Sequence, residues 1–373
     1  LLKTERQDPR RIDFYFTYGS DSLPVIKGLN FDATDAFIAE PSEKRDTVFY
    51  WLRDTALVNQ DTLQMEVRYM MTDTTGTLVS YTDTISAQPK RSYEKRMKDI
   101  EKEIEKWQKE QEKARKRGEP YDSVMPVKNM EPKVSVPSSM SPESDVFIEM
   151  PTPLARLDTS AIHLYSKHDT LWYRARFELH PVKGQLRRYE LLAEWRPATE
   201  YSLEIDSAAF EDIYGTVSKP VKTGLKVRSN DDFGSLVVNV SGTPDSVDVI
   251  VRLLNSSGNT VKQARVKDGA AEFFYVQPGK YYLSAFTDRN GNGVWDTGNY
   301  GADIQPEAVF YNPKEIECKA KWDLTVAWNV NAVPLAAQKP GAITKQKPDK
   351  EKRKTNLGKT KKGSLKRLSC DEA

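Results

Sequence analysis

Short runs in which apolar residues recur at every second position, cut apart by Asp, Thr, Gly and Ser, constrain the fold of this chain more than any other feature. Ile12, Phe14 and Phe16 form one run and Leu63, Met65, Val67 and Tyr69 another; Val48 to Leu52 and Leu78, Val79 and Tyr81 extend the pattern. A strand turns successive side chains to opposite faces, so such runs predict strands with one buried face. Turn residues at short intervals make the strands antiparallel and pack them as sandwiches. The 373 residues exceed one ordinary domain. The pattern therefore predicts a mainly β protein with a first β domain over 1–88, a second over 151–227 and a third over 228–332.

Between the first two lies a stretch of different composition. From Arg91 to Arg117 nearly every residue is Lys, Arg, Glu or Gln, yet Tyr93, Met97, Ile100, Ile104, Trp107, Gln111 and Ala114 recur at alternating spacings of four and three. That is a narrow heptad stripe on a long charged helix, stopped by Gly118 and Pro120. Tyr93, Met97, Ile100, Ile104 and Trp107 are the candidate partner-binding residues. Two readings stay open: an arm for another chain, or a solvated helix laying its stripe on its own domain. Met125 to Met150, rich in Pro, Ser and Met, reads as an extended linker, making 89–150 an inserted helix and linker. From 333 to 373 Lys dominates and apolar residues thin out, which predicts a disordered basic tail.

One loop carries a candidate ion site. Asp288-Arg289-Asn290-Gly291-Asn292-Gly293-Val294-Trp295-Asp296 places oxygen side chains at positions 1, 3, 5 and 9 with Gly at position 6, as in part of an EF-type calcium loop. Position 12 is Asn299 rather than a bidentate Glu, so Asp288, Asn290, Asn292 and Asp296 would bind calcium weakly, in the range of about 10⁻⁴ to 10⁻³ M. The alternative is a hairpin turn whose Asn and Asp bond their own backbone and whose Gly supplies positive φ.

Composition excludes several classes. A net charge of +2 argues against a chain that binds polyanions along its length, and no nucleic-acid partner is expected. No run approaches the roughly 18 apolar residues of a membrane span. Cys318, in a strand-like run, and Cys370, in the tail, are not expected to bridge. His163, His168 and His180 lack partners at metal-ligand spacing in the sequence, and no nucleophile elbow, phosphate loop or dinucleotide fingerprint is present. No enzyme is expected. The chain begins Leu1-Leu2-Lys3, without Met or a signal peptide, as a mature fragment or a truncated start would.

Pro197 to Gly215, with Tyr201-Ser202-Leu203-Glu204-Ile205 and Phe210-Glu211-Asp212-Ile213-Tyr214-Gly215, resembles the closing half of a bacterial Ig-like domain of the S-layer type. Phe273, Val276, Pro278-Gly279, Tyr281 and the Asp288–Asp296 loop resemble transthyretin-like or carboxypeptidase-regulatory-like sandwiches. Together with Trp295-Asp296-Thr297-Gly298, Gln305-Pro306-Glu307 and Lys321-Trp322-Asp323-Leu324, the order is similar to the Ig-like-domain lipoproteins of the Bacteroidota cell envelope. The resemblance implies two Ig-like sandwiches followed by a transthyretin-like one. It also implies a periplasmic or surface-exposed protein at the outer membrane, lipid-anchored in its full-length precursor by a cysteine these residues do not include.

Asp followed by Ser or Thr and a small or aliphatic residue resembles the O-glycosylation acceptor of exported Bacteroidota proteins. It recurs at Asp46-Thr47-Val48, Asp54-Thr55-Ala56, Asp61-Thr62-Leu63, Asp83-Thr84-Ile85, Asp169-Thr170-Leu171 and, with Ser, at Asp245-Ser246-Val247. The resemblance makes Thr47, Thr55, Thr62, Thr84 and Thr170 candidate acceptors, although Asp-Thr is also how a polar turn enters a strand. The functional expectation is a non-enzymatic envelope protein presenting interaction surfaces to envelope or outer-membrane proteins, as an accessory subunit or scaffold. The alternative is a glycan-binding module, which needs exposed aromatic rings in a row.

Overall fold

In the computed structural model, which describes residues 1–243 and 247–344, the chain forms two compact units, Leu1–Arg228 and a second beginning at Ser229. The first sandwich of unit one uses β1 (Lys3–Glu5), β2 (Arg11–Tyr15), β3 (Val25–Gly28), β4 (Phe37–Pro41), β5 (Thr47–Leu52), β6 (Leu63–Thr72) and β7 (Leu78–Ala87). One sheet runs β1–β2–β5–β4 and the other β3–β6–β7. Alternation decides which side faces in: Leu63, Met65, Val67 and Tyr69 of β6 are buried while Gln64, Arg68 and Met70 are exposed. A short helix, α1 (Thr55–Asn59), links β5 to β6, its N-terminus capped by Asp54 accepting from Ala56 N–H. Its last carbonyls are met by buried Arg6, which donates to Gln60 O at 2.8 Å and Leu57 O at 2.9 Å. Burial, with nearby Arg96 adding to it, pulls the Arg6 pKa down to about 10.

After β7 comes α2 (Tyr93–Arg117), capped by Ser92 and ended by Gly118 at φ 71°. It is held at its start, where Tyr93 N–H donates to Asp61 and Arg96 Nη2 to Val58 O at 3.0 Å. None of its residues is buried. Beyond the cap the chain doubles back: Asp122 N–H donates to Gln111 Oε1 at 2.8 Å and Arg115 stands over the Tyr121 ring.

The second sandwich of unit one comprises β8 (Lys133–Ser135), β9 (Val146–Glu149), β10 (Leu154–Leu157), β11 (Ile162–His168), β12 (Leu171–Ala175), β13 (Phe177–Pro181), β14 (Arg188–Ala193), β15 (Glu200–Ile205), β16 (Phe210–Asp212) and β17 (Val221–Lys226). Its sheets run β12–β11–β15–β17 and β13–β14–β9–β8, with β10 and β16 as a separate ribbon. Tyr201 is buried edge-on to Trp195, its hydroxyl donating to Glu194 O and accepting from Arg196 N–H, which pins the turn before β15.

This corrects two expectations. Met125 to Met150 is not a linker throughout, because β8 and β9 are sheet strands and Met130, Met140 and Met150 lie in the second core. Pro and Ser dominate the composition of that stretch, but widely spaced flexible thioethers suffice to anchor it. Nor do the first two sandwiches separate as compact units, although each keeps its own core. Trp51 sits on the outward parity of β5 yet is buried, donating through Nε1 to Glu40 Oε2 at 2.8 Å. Arg187, from the second sandwich, donates through Nε to both Glu40 oxygens at 2.9 and 3.1 Å and stands over the Trp51 ring. Tyr214 adds a hydroxyl bond to Leu52 O at 2.8 Å.

Unit two is a third sandwich of β18 (Gly234–Ser241), β19 (Asp248–Leu254), β20 (Thr260–Arg265), β21 (Ala270–Val276), β22 (Gly279–Asp288), β23 (Val309–Tyr311), β24 (Ile316–Cys318) and β25 (Asp323–Asn329). The sheet β21–β18–β25, whose β18–β25 pair is parallel, faces β20–β19–β22–β23, with β24 also on β22. Leu236, Val251, Phe273 and Leu283 centre its core, and Cys318 is a buried free thiol. Residues 333–344, expected to belong to a disordered tail, are ordered: α3 (Leu335–Gln338) follows β25 and Ile343 packs on Leu254 and Tyr282. Buried Gln338 explains this ordering: its amide donates to Val330 O and Val333 O and accepts from Tyr311 N–H. Lys345 onward, Cys370 and the Asp245-Ser246 pair lie outside the described residues.

Candidate functional site

β22 runs straight into the Asp288–Asp296 loop, so the position of Asp288 is set by the ladder with β19. Asp288 is buried; Oδ1 accepts from Asn292 N–H at 3.1 Å and Oδ2 from Gly293 N–H at 2.9 Å. Asn290 Oδ1 accepts from Asn292 N–H, and Asn292 Oδ1 from Val294 N–H. Gly291 and Gly293 lie at φ 71° and 77°, the left-handed region a side chain disfavours. The amide nitrogens of Asn290 and Asn292 converge on Asp296 Oδ2 at 2.7 and 3.0 Å. All four candidate ligands thus belong to one loop. As oriented, the Asp288, Asn290 and Asn292 oxygens serve backbone N–H groups, Arg265 Nη2 also reaches Asp288 Oδ2 at 3.4 Å, and a cation beside Asp296 requires both side-chain amides to turn.

Glu307 is the residue that the loop motif does not reveal. Buried opposite the loop, it accepts from Arg289 N–H at 2.7 Å through one oxygen and from Asp296 N–H at 3.0 Å through the other. Trp295 packs back, donating to Glu307 O at 2.9 Å. The sole sequence signal was the segment Gln305-Pro306-Glu307, and nothing in loop spacing ties it to Asp296. Among the described residues no three His, Cys, Asp or Glu side chains gather as a metal site.

The α2 stripe remains accessible: Tyr93, Ile100 and Ile104 are 40%, 46% and 36% exposed, and Met97 and Trp107 are half-buried. Of the candidate acceptors, Thr55, Thr84 and Thr170 are exposed and Thr47 and Thr62 half-buried. Local structure accounts for several of the aspartates. Asp54 caps α1, and Asp169 takes φ 53° in the β11–β12 turn. Asp83-Thr84-Ile85 sits in mid-strand, where neither a turn nor a cap explains it.

The histidines differ from expectation, because each has an acidic neighbour: His163 with Asp206 at 3.1 Å, His168 with Asp169 at 3.3 Å and His180 with Glu178 at 2.9 Å. Strand register created the first of these pairs, which linear spacing hides, whereas His168–Asp169 and His180–Glu178 join residues one and two positions apart. They are separate surface dyads, and none meets a nucleophile or a second histidine among the described residues. A cleft of about 440 Å³ in unit two is lined by Ile316, Leu324, Val326, Trp328, Val333 and Gln338. At its rim Glu315 is held below the usual carboxylate range by Lys280 and then Tyr282, so it is a poor proton donor at neutral pH. Of the tryptophans, Trp195 and Trp328 are core, whereas Trp172 and Trp322 are exposed beneath Lys167 and Lys319.

No family model and no curated protein matches the chain. Among solved structures, it is similar to native alpha-2-macroglobulin from Escherichia coli, at 12% identity over 51% of this chain and 71% of that one, with a TM-score of 0.22. It is also similar to the N-terminal part of the bacterial S-layer protein SbsC, at 9% identity over 44% of this chain and 42% of that one, TM-score 0.25. A third is BcpA, the major pilin subunit of Bacillus cereus, at 9% identity over 77% and 88%, TM-score 0.18. The chain spans less than half of the S-layer chain. Likeness at this level carries no argument, and the β-sandwich architecture rests on the strand pairing described above.

Proposed function

We propose that this chain is a non-enzymatic envelope protein that presents interaction surfaces, as an accessory subunit of an outer-membrane assembly, with α2 as its docking arm. One observation carries the reading: a helix of 25 residues is capped at both ends and anchored at its first turn, yet buries none of its residues. A helix that neither packs nor ends in a site is a cost to folding unless something else covers its stripe. The separate His dyads supply no reactive centre, and the Asp-Thr repeats and the resemblance in domain order favour an exported location. Lipid anchoring of the precursor belongs to the same proposal.

The test is photo-cross-linking from the Trp107 position in gently solubilised native envelopes. A stoichiometric membrane-protein adduct, lost when Ile100 and Ile104 are both changed to Asp, supports the arm. No adduct, or one that survives those changes, overturns it. The exposure of Trp172 and Trp322 favours glycan binding as the second reading, for which binding on a glycan array, lost on Trp172→Ala, is the check.

For the Asp288–Asp296 loop, weak calcium binding is proposed, supported by the gathering of the Asp288, Asn290, Asn292 and Asp296 side chains in one loop, where turning two amides exchanges their N–H groups for oxygens beside Asp296. With a dissociation constant near 1 mM, 10 mM calcium stabilises unit two by about 1.4 kcal/mol by mass action. The expected outcome is a higher unfolding midpoint in calcium than in chelator, abolished by Asp296→Ala. Equal midpoints leave a self-bonded turn.

A further inference from the structure

Among the described residues β7, ten residues long, is the last strand of its sheet and as long as any edge strand; just past its end Lys90 N–H donates to Arg6 O, so the chain after β1 adjoins the edge beyond Ala87. The β6–β7 register pairs Leu63 with Ala87 and Thr72 with Leu78, and Asp73 N–H donates to Thr77 O at 2.9 Å across the turn. Antiparallel alternation then gives the odd-numbered residues of β7 to β6 and turns the backbone N–H and C=O of Leu78, Ser80, Thr82, Thr84 and Ser86 away from it. All five are exposed, and no described residue bonds their outward groups. Natural edges are blocked by Pro, Lys, bulges or shortness. Several other edges here follow that rule, with Pro41 in β4, Pro181 in β13, and Lys222 and Lys226 in β17, and the unblocked edge β25 is three residues shorter than β7. β7 has no Pro, no Lys and no register shift; its one charge is Asp83.

We infer that β7 is a dimerisation edge that pairs antiparallel with β7 of a second copy, about a twofold axis at Thr82. The sequence of the edge itself identifies the occupant. With Thr82 opposite Thr82, the hydrogen-bonded pairs fall only on outward residues, Leu78 with Ser86 and Ser80 with Thr84. On the other face Val79 meets Ile85 and Tyr81 meets Asp83, so the single charge never opposes its own copy. Hydroxyl residues meet hydroxyl residues around the axis. Roughly ten backbone hydrogen bonds form, and the two β3–β6–β7 sheets become one continuous sheet. The contact is isologous and closes at two copies, so it gives dimers rather than fibres. It also draws in Leu78, Val79 and Tyr81, which are 64%, 37% and 43% exposed. Edge pairing buries less than the roughly 1,200 Å² of a standard interface, so the dimer is weak and concentration-dependent.

Sedimentation velocity of the full chain up to about 0.5 mM is the first measurement, where a dissociation constant in the micromolar to sub-millimolar range appears as a rising dimer fraction. Thr82→Pro removes an outward donor without touching the β6 ladder, and Thr82→Lys sets two cations at the axis. Both variants are expected to stay monomeric with unchanged circular dichroism and melting. Register is read by disulfide trapping in a Cys370→Ser background. A hydrogen-bonded pair has Cα atoms about 5.5 Å apart, within disulfide reach, so Thr82→Cys cross-links to itself under mild oxidation. Ser86→Cys, which faces Leu78, does not. A monomer throughout the range, a dimer untouched by a folded Thr82→Pro variant, or equal trapping at both positions overturns the inference.

Discussion

Glu40 is one of several scattered acids in the first β domain, and the fold makes it the fixed point between two sandwiches. Its carboxylate takes one hydrogen bond from Trp51 and two from Arg187, with side-chain exposures of 8% for Glu40 and 18% for Arg187. Removing one partner of a buried pair strands the other, so Arg187→Ala is expected to destabilise unit one by about 3 kcal/mol. Glu40→Gln keeps an acceptor for the indole and costs about 1 kcal/mol, the scale of one net hydrogen bond. Denaturant unfolding of the two variants checks that order. Nothing in the sequence around Glu40 announced the joint, because its partner is 147 positions away. The one legible hint was parity: a Trp at the solvent position of β5 is better explained by a covering surface than by exposure. The loop ligands, by contrast, could be read directly, because their spacing is local; Glu307 escaped because it comes from the other side of the loop.

Among the elements, α2 and the segment after it were read unequally. Heptad spacing and caps are short-range features, and they located the helix within a few residues of Tyr93–Arg117. What the stripe touches is a tertiary matter, and the structure leaves it uncovered by any strand. Ile100→Asp and Ile104→Asp are therefore expected to change stability by no more than about 0.5 kcal/mol, as surface substitutions do. The Met-rich segment reverses that outcome. Met140 is 2% exposed, and Met140→Ala should cost about 2–4 kcal/mol through lost burial and the cavity left behind, where a linker residue would cost nothing. Thermal or denaturant unfolding separates the two cases. Composition misled here because an average over Pro and Ser conceals individual anchoring side chains.

At the scale of the whole molecule the chain is two units rather than three, divided at Ser229. Unit one holds a core in each of its sandwiches, tied together through Glu40, Arg187 and Tyr214, and unit two holds a third core of its own. Fragments 1–228 and 229–344 should each unfold cooperatively, whereas a fragment ending at 88 should lose stability, since it lacks Arg187 and Tyr214. Calorimetry of the three fragments is the check; equal stability of the shortest one would argue against the joint. Period-two alternation determined the β class, strand positions and inward faces, because the side-chain parity of a strand is a property of the local backbone. Turn and cap residues likewise determined the loop and the ends of α2. Only the tertiary structure decided which sandwiches fuse, that Asp206 meets His163 and Glu40 meets Arg187, and which strand is left as an open edge. Those depend on pairing between residues far apart in the chain, and alternation is the same for a strand with two neighbours as for a strand with one.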